Sequence, residues 1–223
     1  MKPSPSNKQN TAAWTLVEVL VVIVVVALLL VTFFLWPEPG TREKPERIQC
    51  VNNLMQIGVA YWVWAGHNND KYPMQVSVTN GGAMELVNNG DCPAAFLVMS
   101  NELNTLNTPK ILICPADTNR TVATSFRNGL NNSNISYFVG LDADQTNPQM
   151  FLSGDDNFAI SGVRAKSGLL ELSTNAPIAW TKARHKFVGN IGLADGSVQQ
   201  VTTDKLQKAL RRTGIATNRL ALP

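Results

Sequence analysis

Only two histidines, His67 and His185, and three cysteines, Cys50, Cys92 and Cys114, occur in this chain of 223 residues. No HExxH, nucleophile elbow, P-loop or GxGxxG stands in a strand or helix context that would suit it, so the sequence announces none of the corresponding enzymes. The cysteines form no Cys-x-x-Cys pair, and neither zinc-ribbon nor thioredoxin-like chemistry is written in their spacing. Charge of one sign is also lacking. The net charge is +3, and two of the positive charges are Lys2 and Lys8; from Trp14 onward 17 basic residues face 16 acidic ones, a balance of +1. Such a balance gives no footprint for nucleic acid. The expectation is therefore a non-enzymatic protein with no catalytic residue, no resident cofactor and no nucleic-acid partner.

Apolar sequence, by contrast, is present in one long run. Residues 19–36 carry no charge over eighteen positions, about 27 Å of helix at 1.5 Å per residue. That length approaches the hydrocarbon core of a bilayer, and it predicts a single transmembrane helix over residues 14–36. Trp14 and Trp36 would stand at its two interfaces. No Ala-x-Ala pattern follows the run, so cleavage after it is not expected. Glu18 lies just inside the apolar boundary, where a carboxylate is costly and needs a partner. With Lys2 and Lys8 ahead of the run, the positive-inside tendency puts residues 1–13 in the cytoplasm and the remainder outside.

Pro37, Pro39 and Gly40 predict a break. Beyond it, Ile48, Val51, Met55, Val59 and Trp62 recur at spacings of 3 and 4, an amphipathic stripe expected to pack on a sheet; Leu54, Ile57 and Tyr61 widen it. After Pro73 the chain reads as short strands joined by loops rich in Asn, Gly, Ser and Thr. Residues 94–99 suggest a short helix. Strands are expected at 110–114, 135–139, 168–172 and 177–180, and a hairpin at 187–193 and 197–201 around a two-residue turn, Asp195 and Gly196. A terminal helix is expected at 204–212. The predicted fold is α+β: a transmembrane helix continued or kinked into an amphipathic helix, packed on a small, mainly antiparallel sheet. The expected segments are a leader (1–13), a span (14–36), a kink with the amphipathic helix (37–66) and an exported β-rich domain (67–223).

Four stretches share a resemblance. AWTLVEVLVVI at 13–23 resembles the class III signal of type IV pilins and type II secretion pseudopilins, with Ala13 where Gly is usual and Trp14 where Phe is usual. RIQCVNNLMQIG at 47–58, with DKYP at 70–73, resembles a signature of a pseudopilin-like group common in planctomycetes, verrucomicrobia and their relatives. CPAD at 114–117 and HKFVGNIGLADG at 185–196, an H-x9-D-G element, resemble further elements of that group. The family-motif residues are thus Cys50, Cys114, Asp117, His185, Asp195 and Gly196.

The resemblance implies that a prepilin peptidase cuts between Ala13 and Trp14 and methylates the new terminus. Glu18 would then pair with the terminal ammonium of a neighbouring subunit during filament assembly, each charge offsetting the other's desolvation. It implies as partners the peptidase, other pilins or pseudopilins, an inner-membrane assembly platform and membrane lipid. It also implies a single-pass location in a bacterial inner membrane with a periplasmic domain. The rival reading is a signal-anchored periplasmic hydrolase or binding protein.

In an oxidising periplasm Cys92 could bridge Cys114, leaving Cys50 odd; three buried thiols are the alternative. Since some major pseudopilins hold calcium, Asp142 and Asp144 are weak candidates for a calcium site, although they supply only two of the oxygens such an ion wants. Asp155 and Asp156 read as solvated turn acids. Asp195 and Gly196 read as turn chemistry. His185 reads as a loop or packing histidine, too distant from Asp195 along an intervening strand to form a catalytic pair.

Overall fold

A computed structural model describes residues 15–35, 43–106, 109–126 and 129–223. The chain divides into two compact units, Met1–Thr41 and Arg42–Pro223. Ala13, Trp14, Trp36 and the expected break at Pro37, Pro39 and Gly40 lie outside the described residues.

The first unit contains helix α1, Leu16–Leu35. Its start is closed by a reciprocal cap: Thr15 Oγ1 accepts from the Glu18 backbone N–H at 3.3 Å, while the Glu18 carboxylate accepts from Thr15 N and Oγ1 at 2.8 and 2.9 Å. This is the Thr-x-x-Glu capping box, so Glu18 has a partner within its own first turn. The side chains from Leu16 to Val31 are apolar, Glu18 aside, and all are exposed. Among the described residues, no helix is long and apolar enough to cross a membrane. The expected transmembrane span, and the inner-membrane location inferred from it, are overturned by that finding.

The second unit opens with α2, Glu43–Gly66, with Pro45 in its first turn, where a missing N–H costs no helical bond. Three short helices follow, α3 (Met84–Asn88), α4 (Cys92–Val98) and α5 (Ser100–Leu106). The strands are β1 (Tyr137–Gly140), β2 (Phe151–Asp155), β3 (Phe158–Ile160), β4 (Val163–Arg164), β5 (Gly168–Ser173), β6 (Ile178–Trp180), β7 (Val188–Leu193), β8 (Val198–Thr202) and β9 (Thr217–Leu222), with α6 (Thr203–Arg212) between the last two. Six strands form one sheet in the order β5-β9-β1-β2-β7-β8, and three form another in the order β4-β3-β6. All pairings are antiparallel. The α+β class and the antiparallel sheet match the expectation.

Both faces of the larger sheet are covered, because successive side chains point to opposite faces. Tyr137 and Val139 enter the core shared with Leu54, Ile57 and Tyr61 of α2 and Phe96 of α4. Phe138 enters the opposite core with Phe151, Phe158 and Trp180, together with Leu206 and Leu210 of α6. Ring centroids of 6.2 Å and near-perpendicular planes link Phe138 to Phe158 and Phe158 to Trp180, the edge-to-face geometry aromatic quadrupoles favour. Gly189 is required beneath them, since a Cβ there would lie 2.5 Å from the Trp180 ring.

The face that α2 buries differs from the expected stripe. Cys50, Leu54, Ile57, Tyr61, Trp64 and Ala65 are buried, whereas Ile48, Met55, Val59 and Trp62 are exposed. Cys50, Leu54, Ile57, Tyr61 and Trp64 step by 4, 3, 4 and 3, and the expected Ile48, Val51, Met55, Val59 and Trp62 by 3, 4, 4 and 3, so spacing does not choose between them. Residues 110–114 are not a strand. Pro109–Leu112 form a 3-10 turn that buries Ile111 and Leu112, and the Asn53 amide of α2 donates to Ile113 O at 2.9 Å. The expected strands at 135–139, 168–172 and 177–180, the hairpin and both expected short helices are present within a few residues of their predicted bounds. β2, β3, β4 and β9, which lies between β5 and β1, are additions.

Truncating Ile57 to Ala is expected to cost about 3 kcal/mol of unfolding free energy, and Val59→Ala less than about 1 kcal/mol. Urea unfolding of the two variants measures the difference. Equal losses would mean that α2 meets the sheet through its other stripe.

Candidate functional site: a disulfide and a histidine above buried ion pairs

Three segments distant in sequence meet beside β2. The first is α2, whose buried face brings in Cys50. The second is the 114–120 turn, closed by the Asp117 N–H donating to Cys114 O at 2.8 Å. The third is the loop at 181–187, in which Arg184, Lys186 and Phe187 all have positive φ, at 66°, 51° and 65°. Such conformations cost side-chain-bearing residues of order 1–3 kcal/mol each and persist only where surroundings impose them. The surroundings are visible here. Phe187 N donates to Thr181 O, Asn157 Nδ2 donates to Ala183 O at 2.8 Å, and an Arg47 guanidinium N–H from α2 donates to His185 O at 3.0 Å.

Cys50 and Cys114 are joined as a disulfide, with Cα atoms 5.2 Å apart. The expected bridge between Cys92 and Cys114 is therefore replaced. Cys92 is a free, buried thiol at the start of α4, its Sγ donating to Tyr137 O at 3.6 Å, and burial pushes its pKa well up. The imidazole of His185 lies over the bridge, with Nε2 3.2 Å from Cys114 Sγ. A disulfide sulfur only accepts, so a hydrogen bond across this contact requires the proton on Nε2. His185 is 2% exposed and both bridged cysteines are fully buried.

Beneath the histidine lies a cluster of five charged side chains. Arg184 pairs with Asp117 at 2.8 Å, with Asp156, and with Asp155 at 4.0 Å, and it donates to Ser136 O at 2.9 Å. Arg120 pairs with Asp156 and, at 3.5 Å, with Asp117. Ser136 Oγ donates to Asp117 at 2.9 Å. Burial alone would lower the Arg184 pKa, but Asp156, Asp155 and Asp117 together raise it above its ordinary value. Asp155 is less well served: Oδ2 accepts from Asn190 N and Nδ2 at 2.8 and 2.9 Å, while Oδ1 has no hydrogen-bond partner. Burial pushes its pKa up to about 6 against the opposing pull of Arg184 and Asn190, with Asp156 adding to the rise. Asp155 Oδ2 also stands 3.8 Å from His185 Nε2.

Four of the six residues singled out in the sequence thus converge: Cys50, Cys114, Asp117 and His185. Asp195 and Gly196 lie at the far end of β7, in its turn to β8, where Ser197 N donates to Asp195 Oδ1 at 2.9 Å and Gly196 has φ of 80°. The neighbouring carbonyl, Ala194 O, accepts from the indole of Trp62 and the hydroxyl of Tyr72. Asp155 and Asp156 are not solvated turn acids; they are 0% and 6% exposed and belong to the cluster. The weak calcium candidates are engaged elsewhere. Asp142 Oδ1 accepts from Nε and Nη2 of Arg219 and Oδ2 from the Arg219 backbone N–H, and Asp144 accepts from Thr146 and Gln75. Among the described residues, one group of His, Cys and acidic side chains is close enough to hold a metal ion: Cys50, Cys114 and His185, with their donor atoms all within 4.8 Å of one another. Sequence reasoning missed Arg47, Arg120, Arg184, Asp155 and Asp156, although Arg47 opens one motif and Arg184 immediately precedes another.

Arg184→Ala is expected to destabilise the domain by about 3–5 kcal/mol, since it strands buried carboxylates. Arg219→Ala, at a half-exposed ion pair, should cost no more than about 1 kcal/mol. Denaturant unfolding at pH 7 compares them. Because the folded pKa of Asp155 is raised, its contribution to stability is complete below its unfolded value near 3.8 and is lost as pH rises through about 6. Asp155→Asn should therefore gain stability relative to the parent between pH 4 and pH 8, by on the order of 3 kcal/mol, in the same assay. No family model, curated protein or solved structure matches the chain, which leaves the chemistry of these residues as the guide to what it does.

Proposed function

We propose that the chain is a structural subunit of a filament of the pseudopilin or minor-pilin kind. The observation that carries this reading is the exposure of α1: its apolar side chains from Leu16 to Val31 all face outward. Monomeric proteins rarely leave so continuous an apolar surface uncovered, and identical helices from neighbouring subunits would bury it. The exposed stripe of α2, with Ile48, Met55, Val59 and Trp62, offers a second apolar surface of the same kind.

The motif at 13–23 supports the same reading. Cutting between Ala13 and Trp14 would create an ammonium close in sequence to Thr15 and Glu18. Glu18 holds its carboxylate at the helix surface in the capping box, where a neighbour's ammonium could meet it. The partners on this reading are a prepilin peptidase, other pilin-like subunits and their assembly platform, and the role is structural. The clasp at Cys50, Cys114 and His185 would keep the second unit intact while subunits are added.

Mass spectrometry and amino-terminal sequencing of the chain made together with a prepilin peptidase test the proposal. The expected product begins at N-methylated Trp14, and its Glu18→Ala variant should be cut as efficiently yet enter sedimentable filaments at least several-fold less. An intact Met1 terminus, or equal incorporation of the variant, would overturn it.

A further inference from the structure

We infer that Cys50, Cys114 and His185 form a redox-gated site for one zinc ion, empty while the disulfide stands and competent once it is reduced. The donor set is two sulfurs and one imidazole nitrogen, supplied by α2, the 114–120 turn and the 181–187 loop, with all three atoms within 4.8 Å of one another. Zinc bonds of about 2.3 Å to sulfur and 2.0–2.1 Å to nitrogen put tetrahedral donor atoms roughly 3.5–3.8 Å apart, a spacing that the Cys114 Sγ to His185 Nε2 distance of 3.2 Å already approaches. The two sulfurs need only separate once their bond is broken.

Charge favours the same ion. Two thiolates, a neutral imidazole and Zn2+ sum to zero, and a buried centre without net charge avoids the large penalty of an uncompensated ion. Three protein ligands leave one coordination position for water or another exogenous group. Ties other than the bridge also assemble the pocket. Arg184 ties the histidine loop to Asp117 on the cysteine turn and to Asp156 beyond β2, Arg47 ties α2 to His185 O, and Asn53 ties α2 to Ile113 O beside Cys114. The positive φ values on both sides of His185, imposed by the surrounding ties, fix the loop that carries the imidazole to the sulfurs.

The chemistry balances with a phosphine as reductant. Phosphorus takes the oxygen of one water and is oxidised to the phosphine oxide; the sulfur–sulfur bond accepts two electrons and the two protons of that water, giving two thiols. Zn2+ then displaces both thiol protons and binds the thiolates, while His185 binds through Nε2 as the neutral imidazole, its proton held on Nδ1. A disulfide has no thiolate to offer, so bridge and metal exclude one another.

The full chain, reduced with a water-soluble phosphine under argon, is titrated with Co2+ as the spectroscopic stand-in for zinc. One equivalent per chain should produce tetrahedral ligand-field bands and a thiolate-to-cobalt charge-transfer band, both removed by adding Zn2+. The oxidised protein and the Cys50→Ser, Cys114→Ser double variant should produce neither. His185→Ala should weaken Co2+ binding at least tenfold while keeping the near-ultraviolet circular dichroism of the parent, and His185→Gln should behave likewise. The inference is overturned if the reduced, folded chain shows no such bands, or if the histidine or cysteine variants bind as the parent does. Loss of the folded signal on reduction that Zn2+ does not restore also overturns it.

Discussion

Burying Arg184 is the constraint on which the second unit depends. A guanidinium taken out of water must be met by negative charge at close range or it costs several kcal/mol, and here Asp117 and Asp156 meet it, with Asp155 behind them. Those acids come from the cysteine turn, the end of β2 and the residue after it, so satisfying one side chain brings together segments separated by tens of residues. Asn190 on β7 then donates twice to one oxygen of Asp155, and Arg120 closes the ring. Removing Arg184 would strand the acids it pairs with, whereas neutralising Asp155 leaves Arg184 its two closer partners, Asp117 and Asp156.

The disulfide and the histidine are consequences of that arrangement. Residue 185 follows Arg184 directly, and with Arg184 fixed the loop must pass through left-handed conformations at 184, 186 and 187, which brings the imidazole onto Cys114 Sγ. Cys50 reaches the same place because α2 buries the face carrying Leu54, Ile57 and Tyr61. Closing a loop with a sequence separation of 64 removes about 4 kcal/mol of unfolded-chain entropy in the simple loop model. Covalent and ionic ties therefore lock the same junction.

At the other end of the chain, α1 shows how a local interaction can account for a residue that looks anomalous. A carboxylate at the edge of eighteen uncharged residues suggests an ion partner, yet Thr15 and Glu18 satisfy each other's polar groups across the first helical turn. The Thr-x-x-Glu spacing carried that signal. The outward apolar surface of α1 and the uncovered stripe of α2 then become the features that ask for neighbours.

Local chemistry alone determined several things from sequence: the Asp195–Gly196 turn, since a positive φ there favours glycine; α6, whose Leu206 and Leu210 are one turn apart; and most strands, through their short apolar runs. The α+β class followed from these. Only the tertiary structure decided which of two equally spaced stripes on α2 is buried, that Cys114 pairs with Cys50 and not Cys92, and that Asp155 and Asp156 lie inside with Arg184. Each of those outcomes depends on what a residue meets across space, and periodicity along the chain carries no term for it. The motifs at 47–58, 114–117 and 185–196 marked the residues that matter, but their meeting at one buried junction is a property of the fold.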